Sequence, residues 1–243
     1  MFFHYNQRTI PNQLCAQQVQ APQMTDPVEF VVKQLPYDLS SHGGWALVGR
    51  LFKRINLPAM VDPKYPVRAG IANSDILKCY VAMLTLGKND FEAVEAFRQQ
   101  RFAHQALGLR AVPSSATLRQ RFDAMGCENG ANWPTRAFAR STFKTDMDLN
   151  RLPSGKFATN HLVCSLAALA MNLLRIVGQY TLHESDSPMR KTALRRRIKT
   201  VMQELMYKAA RVISHARGWA LGISGSDSGF AVFERAFGKM KAA

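Results

Sequence analysis

A mainly helical fold is predicted for this 243-residue chain by three observations. Apolar residues recur at three- and four-residue intervals in several windows, the spacing that puts them on one face of a helix. Ser, Asn, Pro and Gly stand where those windows begin and end. Hydrophobic residues make up 47% of the chain, enough for a packed core and too many for a disordered polymer. The length allows one large domain or two small ones.

The elements follow in order. Residues 1–28 are rich in Gln and Pro, lack periodicity and read as a loose leader. The stretch EFVVKQLPYDLSSHGG carries β-branched residues that suit a short strand ending at His42. From Trp45 the pattern turns helical, with Leu47, Val48, Leu51, Phe52 and Ile55 on one face, and Pro58 is expected to end that helix. Asn73 or Ser74 is placed to cap a helix bearing Ile76, Leu77, Tyr80, Val81 and Leu84, which Gly87 would close. Asn89 and Glu92 have capping-box spacing for the helix holding Val94 and Phe97.

In PSSATLRQRFDAM a Ser cap precedes Leu118 and Phe122 on one face, with Arg119 and Arg121 turned elsewhere. A run of short helices ending in such a segment suits a helix-turn-helix-like module, in which Ser115, Thr117, Arg119 and Arg121 reach DNA. A plain amphipathic helix suits it equally. GCENGANWPTRAFARS breaks the rhythm and reads as a linker over 126–142.

Beyond it lies a helix at 158–177, whose apolar run LVCSLAALAMNLLRIV is short for a membrane span and carries Asn172 and Arg175, so a buried helix is expected. Residues 189–217 then read as one long helix, with Leu194, Ile198, Val201, Leu205 and Val212 as its apolar stripe. Around that stripe lie Arg190, Lys191, Arg195, Arg196, Arg197, Lys199, Lys208, Arg211 and Arg217 against one acid, Glu204. One-sign charge of this kind can meet phosphates, an anionic membrane or an acidic partner.

Charge is the first functional clue. The net charge is +15 and the pI about 10.1. Residues 1–125 hold fourteen Lys/Arg and nine Asp/Glu, whereas residues 126–243 hold eighteen and eight. The second half is the more basic, and nucleic acid is the expected partner of such a surface. Cys15, Cys79, Cys127 and Cys164 form no Cys-x-x-Cys motif and read as reduced thiols in a cytoplasmic protein. MFFHYNQRTIPNQLC does not have the form of a signal peptide.

In FKTDMDLNRLPSGKFATN, Lys144, Asp146 and Asp148 crowd together before a Pro-Ser-Gly turn and invite a catalytic reading. The surrounding residues carry a resemblance that bears on it. SSHGGWALVGRLFKRINL, NSDILKCYVAMLTLGKNDFEAVEAFR and ALGLRAVPSSATLRQRFDAM resemble the N-terminal region of bacterial insertion-sequence transposases of the DDE type. FKTDMDLNRLPSGKFATNHLVCSLAALAMNLLR and the basic segment after it resemble the C-terminal end of the same family. The two blocks cover nearly all of residues 29–235.

The resemblance implies an RNase H-like α/β core between the blocks, in which three carboxylates hold two Mg²⁺ ions for strand transfer. Only residues 126–142 lie there, which leaves no room for a sheet. In the branch with a Tyr-x-x-Arg-x-x-x-Glu-x₆-Lys helix, Lys144 matches the lysine, but the glutamate, arginine and tyrosine positions hold Ala137, Trp133 and Gly130. Asp146 and Asp148 fall beyond that pattern and read as solvated acids beside a turn. The resemblance therefore implies a deleted transposase: a helical DNA-binding domain over 29–125, a junction at 126–142, and a helical remnant of the catalytic domain over 143–243. No catalytic or metal-binding residue and no cofactor is carried over. Arg195, Arg196, Arg197 and Lys199 would meet DNA phosphates. The apolar face of the 158–177 helix would lose the sheet it packs on in the family, exposing a patch unless the helices repack. Three roles stay open: an inactive DNA-binding protein, a subunit acting with or against a full-length transposase or with itself, and a basic helical protein that binds RNA or a membrane surface.

Overall fold

In the computed structural model, residues 39–129, 146–182, 195–215, 218–225, 227 and 229–242 are described. The described part is mainly helical, with one small sheet. The leader, Lys144 and the rest of 130–145, and residues 183–194, with Arg190, Lys191 and Leu194, lie outside it.

Helix α1, Trp45–Ile55, buries Trp45, Leu47, Val48, Leu51 and Phe52, as its spacing predicts. Asn56, not Pro58, stops it. Asn56 adopts the left-handed conformation, at φ 51°, which Asn tolerates better than most residues, and Pro58 lies inside the next short helix, α2, Leu57–Val61. Helix α3, Asn73–Leu84, is buried along its whole length. Neither Asn73 nor Ser74 caps it. Asp62, from the preceding loop, accepts the Ser74 N–H at 2.9 Å and the Ser74 hydroxyl at 2.8 Å. The expected capping box is also displaced by one residue: the Asp90 carboxylate accepts the Glu92 N–H at the start of the 3-10 turn Phe91–Phe97. Asn89 instead donates its amide to the carbonyls of Asp148 and Arg151.

Helices α4, Arg101–Leu107, and α5, Ser115–Asn129, follow. Helix α5 runs straight through Gly126. A Cβ there would sit 2.9 Å from the backbone of Ala158, so this glycine lets α5 cross the next helix at close range. That helix, α6, spans Phe157–Gln179. Its 23 residues exceed the span expected for it and are long and apolar enough to cross a membrane by length and composition. Most of its apolar run is buried, because α3 and α5 pack against it, and the expected exposed patch is largely covered. Leu162, Val163, Leu166, Ala170, Leu173, Leu174 and Val177 enter one core with Tyr80, Phe91 and Phe122. The Phe122 ring stands edge-on to Tyr80 at 4.6 Å and to Phe91 at 5.4 Å.

The largest departure from expectation is at 189–217. Its described part is not one helix. A short helix, α7, Ile198–Val201, runs into a π-helical turn, Met202–Met206, and then the chain extends into strand β2, Ala210–His215. Strand β3, Gly218–Ile223, pairs with β2 antiparallel from Ala210↔Ile223 to His215↔Gly218. Strand β1, Leu39–Ser40, pairs with the other edge of β2. The physical reason lies upstream. The N–H groups of Gly43 and Gly44 donate to the carbonyls of Lys208 and Met206, which a continuing helix would use internally. A Cβ on Gly44 would stand 2.3 Å from the Leu205 carbonyl oxygen, so only glycine lets the two segments meet. The adjacent Val212–Ile213 pair is β-branched and suits the strand. Helix α8, Phe230–Ala242, packs on α1.

Candidate nucleic-acid interface

Helix α5 begins as its sequence requires. The Ser114 hydroxyl accepts the Thr117 N–H at 3.2 Å and shares a 2.9 Å hydrogen bond with the Thr117 hydroxyl. The Ser115 N–H donates to Glu95 Oε1 at 2.8 Å. Arg119 pairs with Glu92 at 3.1 Å, and its guanidinium lies 5.8 Å from the Phe91 ring centre. That Ser115 N–H, followed by Arg98 at 3.1 Å, holds the Glu95 carboxyl below its ordinary range. Two carboxylates therefore stand over the first turn of the helix expected to enter a groove. Both pairs are exposed to water, and exposed pairs are worth only about 0–1 kcal/mol, so Arg119 can exchange Glu92 for a DNA group at little cost. Arg121 is half-buried and makes no ion pair among the described residues. The connection from α4 runs over 108–114, and α5 packs chiefly on α6 and on the Phe91–Phe97 turn.

The second basic group divides in two. Arg196 is buried: its guanidinium donates to Glu204 and, at 3.2 Å, to the Thr181 hydroxyl oxygen. Burial pulls its pKa down, as desolvation does to any cation. Arg197 donates to Asp146 at 3.1 Å. Asp146 is thus not a solvated acid. Its side chain is 3% exposed, and Arg197 reaches over it from solvent. Asp148 is exposed, at φ 55°, and its carbonyl takes the Asn89 amide. Arg195 and Lys199 project into solvent and make no ion pair among the described residues. Of the four cations assigned to phosphate contact, the structure leaves these two available and holds the other two against acids.

A third group was missed by the sequence reading. A cleft of about 590 Å³ opens between α1, α4, β3 and α8. Gly49 lines it, where a Cβ would meet the Ala106 carbonyl oxygen at 1.7 Å, so α1 and α4 touch backbone to backbone. Arg50, Lys53, Lys78, Trp219 and Phe237 also line it, and among the described residues no acid does. The signal lay in Arg50, Lys53 and Arg54, whose spacing puts cations on the outer face of α1, but nothing in the sequence pointed them toward Trp219.

Among the described residues no group of three His, Cys, Asp or Glu side chains could hold a metal ion. Cys79 is a buried free thiol whose pKa burial pushes up to about 12, while Cys164 is half-buried. No family model, no curated protein and no solved structure matches this chain.

Proposed function

We propose that this chain is an internally deleted insertion-sequence transposase that binds duplex DNA through phosphate contacts and performs no strand transfer. The observation that carries the reading is electrostatic. In a chain of net charge +15, Arg195 and Lys199 extend into solvent with no acid against them among the described residues. Cations placed in this way gain by releasing the counterions condensed on a polyanion. The resemblance over 29–235 supplies the identity of that polyanion, and the short stretch between its two blocks supplies the loss of chemistry. Helix α5 adds Arg119, loosely held by Glu92, as the group that would read base edges.

The test is an assay of supercoiled plasmid carrying the element's terminal repeats, with Mg²⁺ or Mn²⁺. The expected outcome is retarded migration of the DNA without nicking or joining. Metal-dependent cleavage that disappears in Asp148→Ala would overturn the reading and make that exposed acid a ligand.

A further inference from the structure

We propose that the cleft between α1, α4, β3 and α8 is a binding site for single-stranded DNA, with an unpaired base stacked on Trp219 and its phosphates on Lys53 and Arg50. The site is separate from the duplex contacts above and does not depend on them.

Trp219 is the first observation. Large aromatic side chains are usually buried, yet this one is 50% exposed while it lines a concave surface. Its neighbours fix its posture. It sits on a strand held to β2 along its whole length, and the Arg101 guanidinium lies 4.8 Å from its ring centre. The ring is therefore held in place at the edge of the cleft, which lowers the entropy lost when a flat group stacks on it.

Charge is the second observation. Among the described residues Arg50, Lys53 and Lys78 line the cleft and no Asp or Glu does. Lys78 is paired with Asp75 at 3.2 Å, and Asp75 is not one of the lining residues. Lys53 is exposed and makes no ion pair among the described residues. Arg50 lies 4.5 Å from the Phe237 ring centre, a contact that orients the guanidinium without neutralising it. Two cations, Arg50 and Lys53, with no acid paired to them among the described residues and an exposed indole beside them, are the pairing by which single strands are held: the cations track the backbone while every base offers a π-face. A duplex has its bases stacked inside and offers Trp219 nothing. The volume, about 590 Å³, is in the range of small-ligand sites and suits a nucleotide or two rather than a helix.

The test uses the full chain and fluorescence anisotropy with labelled oligothymidine of about twelve nucleotides, a duplex of the same length, and thymidine monophosphate as competitor. Trp219→Ala is expected to weaken single-strand binding about tenfold while duplex binding changes less than about twofold. Trp219→Phe, which keeps a stacking face, is expected to restore most of the affinity. Lys53→Gln, an exposed change that leaves the fold alone, is expected to lower the salt slope of single-strand binding by about 0.7. Single-strand affinity unchanged in both Trp219→Ala and Lys53→Gln would overturn the proposal. So would equal losses on both DNA forms, or failure of Trp219→Phe to rescue. Displacement by thymidine monophosphate as effective as by the oligomer would make the ligand a free nucleotide and reject the single strand.

Discussion

The first turn of α5 and the segment that opens at Arg195 both present cations beside acids, and they hold them differently. At α5, Glu92 and Glu95 are as exposed as the arginines they face. At 195–199 each pair has one buried member: the Arg196 side chain is 2% exposed against a Glu204 that is 38% exposed, and the Asp146 side chain is 3% exposed against an Arg197 that is 66% exposed. An exposed pair exchanges its partner for about 0–1 kcal/mol, while breaking a buried one by removing one member costs about 3–5 kcal/mol. Burial of the cation itself, not the number of cations, decides which groups can reach a phosphate, and Arg197, though exposed, is held over the buried Asp146. By that criterion Arg119, Arg195 and Lys199 are available and Arg196 is part of the core.

The contrast is broken most easily at Glu204. Glu204→Ala leaves Arg196 with the Thr181 hydroxyl as its described partner. Because Glu204 is itself 38% exposed, the loss in chemical denaturation should fall between the about 0–1 kcal/mol of an exposed pair and the about 3–5 kcal/mol of a fully buried one. Glu92→Ala should change stability by less than about 1 kcal/mol. Equal effects at the two positions would mean that burial does not separate the two regions.

Next in size is a change in DNA recognition. Arg119→Ala should reduce the preference for terminal-repeat over scrambled duplex by about 1–3 kcal/mol in a competition titration, with non-specific binding little altered. An unchanged ratio would leave α5 a packing helix whose Leu118 and Phe122 are its whole purpose.

A pH effect is expected at His42, where the Phe91–Phe97 turn meets the segment at 207–208. His42 is packed against Trp45 at 5.5 Å and against Phe97 at 5.3 Å, on the turn that meets Lys208. Burial, then the nearby Lys88, lowers its pKa from 6.5 to about 4. The unfolded chain therefore binds a proton first as pH falls. Stability should be full above about pH 6.5, decline between about 6.5 and 4, and stop declining on this account below that. His42→Gln should flatten that part of the curve in a denaturation series, and a slope identical to the parent's would place the proton elsewhere.

How much of this was legible in the sequence follows the same division. The spacing of Leu47, Val48, Leu51 and Phe52 marked the face of α1 that is buried, and Leu118 with Phe122 marked that of α5. These are local patterns, and a helix expresses them without help. The strand at 210–215 was not legible, because Ile198, Val201 and Leu205 do form the predicted stripe and only the backbone bonds from Gly43 and Gly44 end it. Those bonds join residues more than 160 positions apart, and no window of sequence contains both. Gly126 was legible as a break and is a close crossing of α5 with α6. The burial of Asp146 was hidden for the same reason, since Arg197 lies 51 positions away. Arg195, Arg196, Arg197 and Lys199 look identical in the sequence, yet Arg195 and Lys199 are exposed, Arg196 is buried and Arg197 lies against Asp146.

If Arg195 and Lys199 contact phosphates, duplex binding must lose salt dependence when both are replaced, which is read by comparing the parent with a variant carrying Arg195→Ala and Lys199→Ala. Each phosphate contact contributes about 0.9 to the slope of log K against log salt. The parent should show a steep slope and the variant one shallower by about two, with its thermal unfolding unchanged. A slope that is the same in both proteins would contradict it.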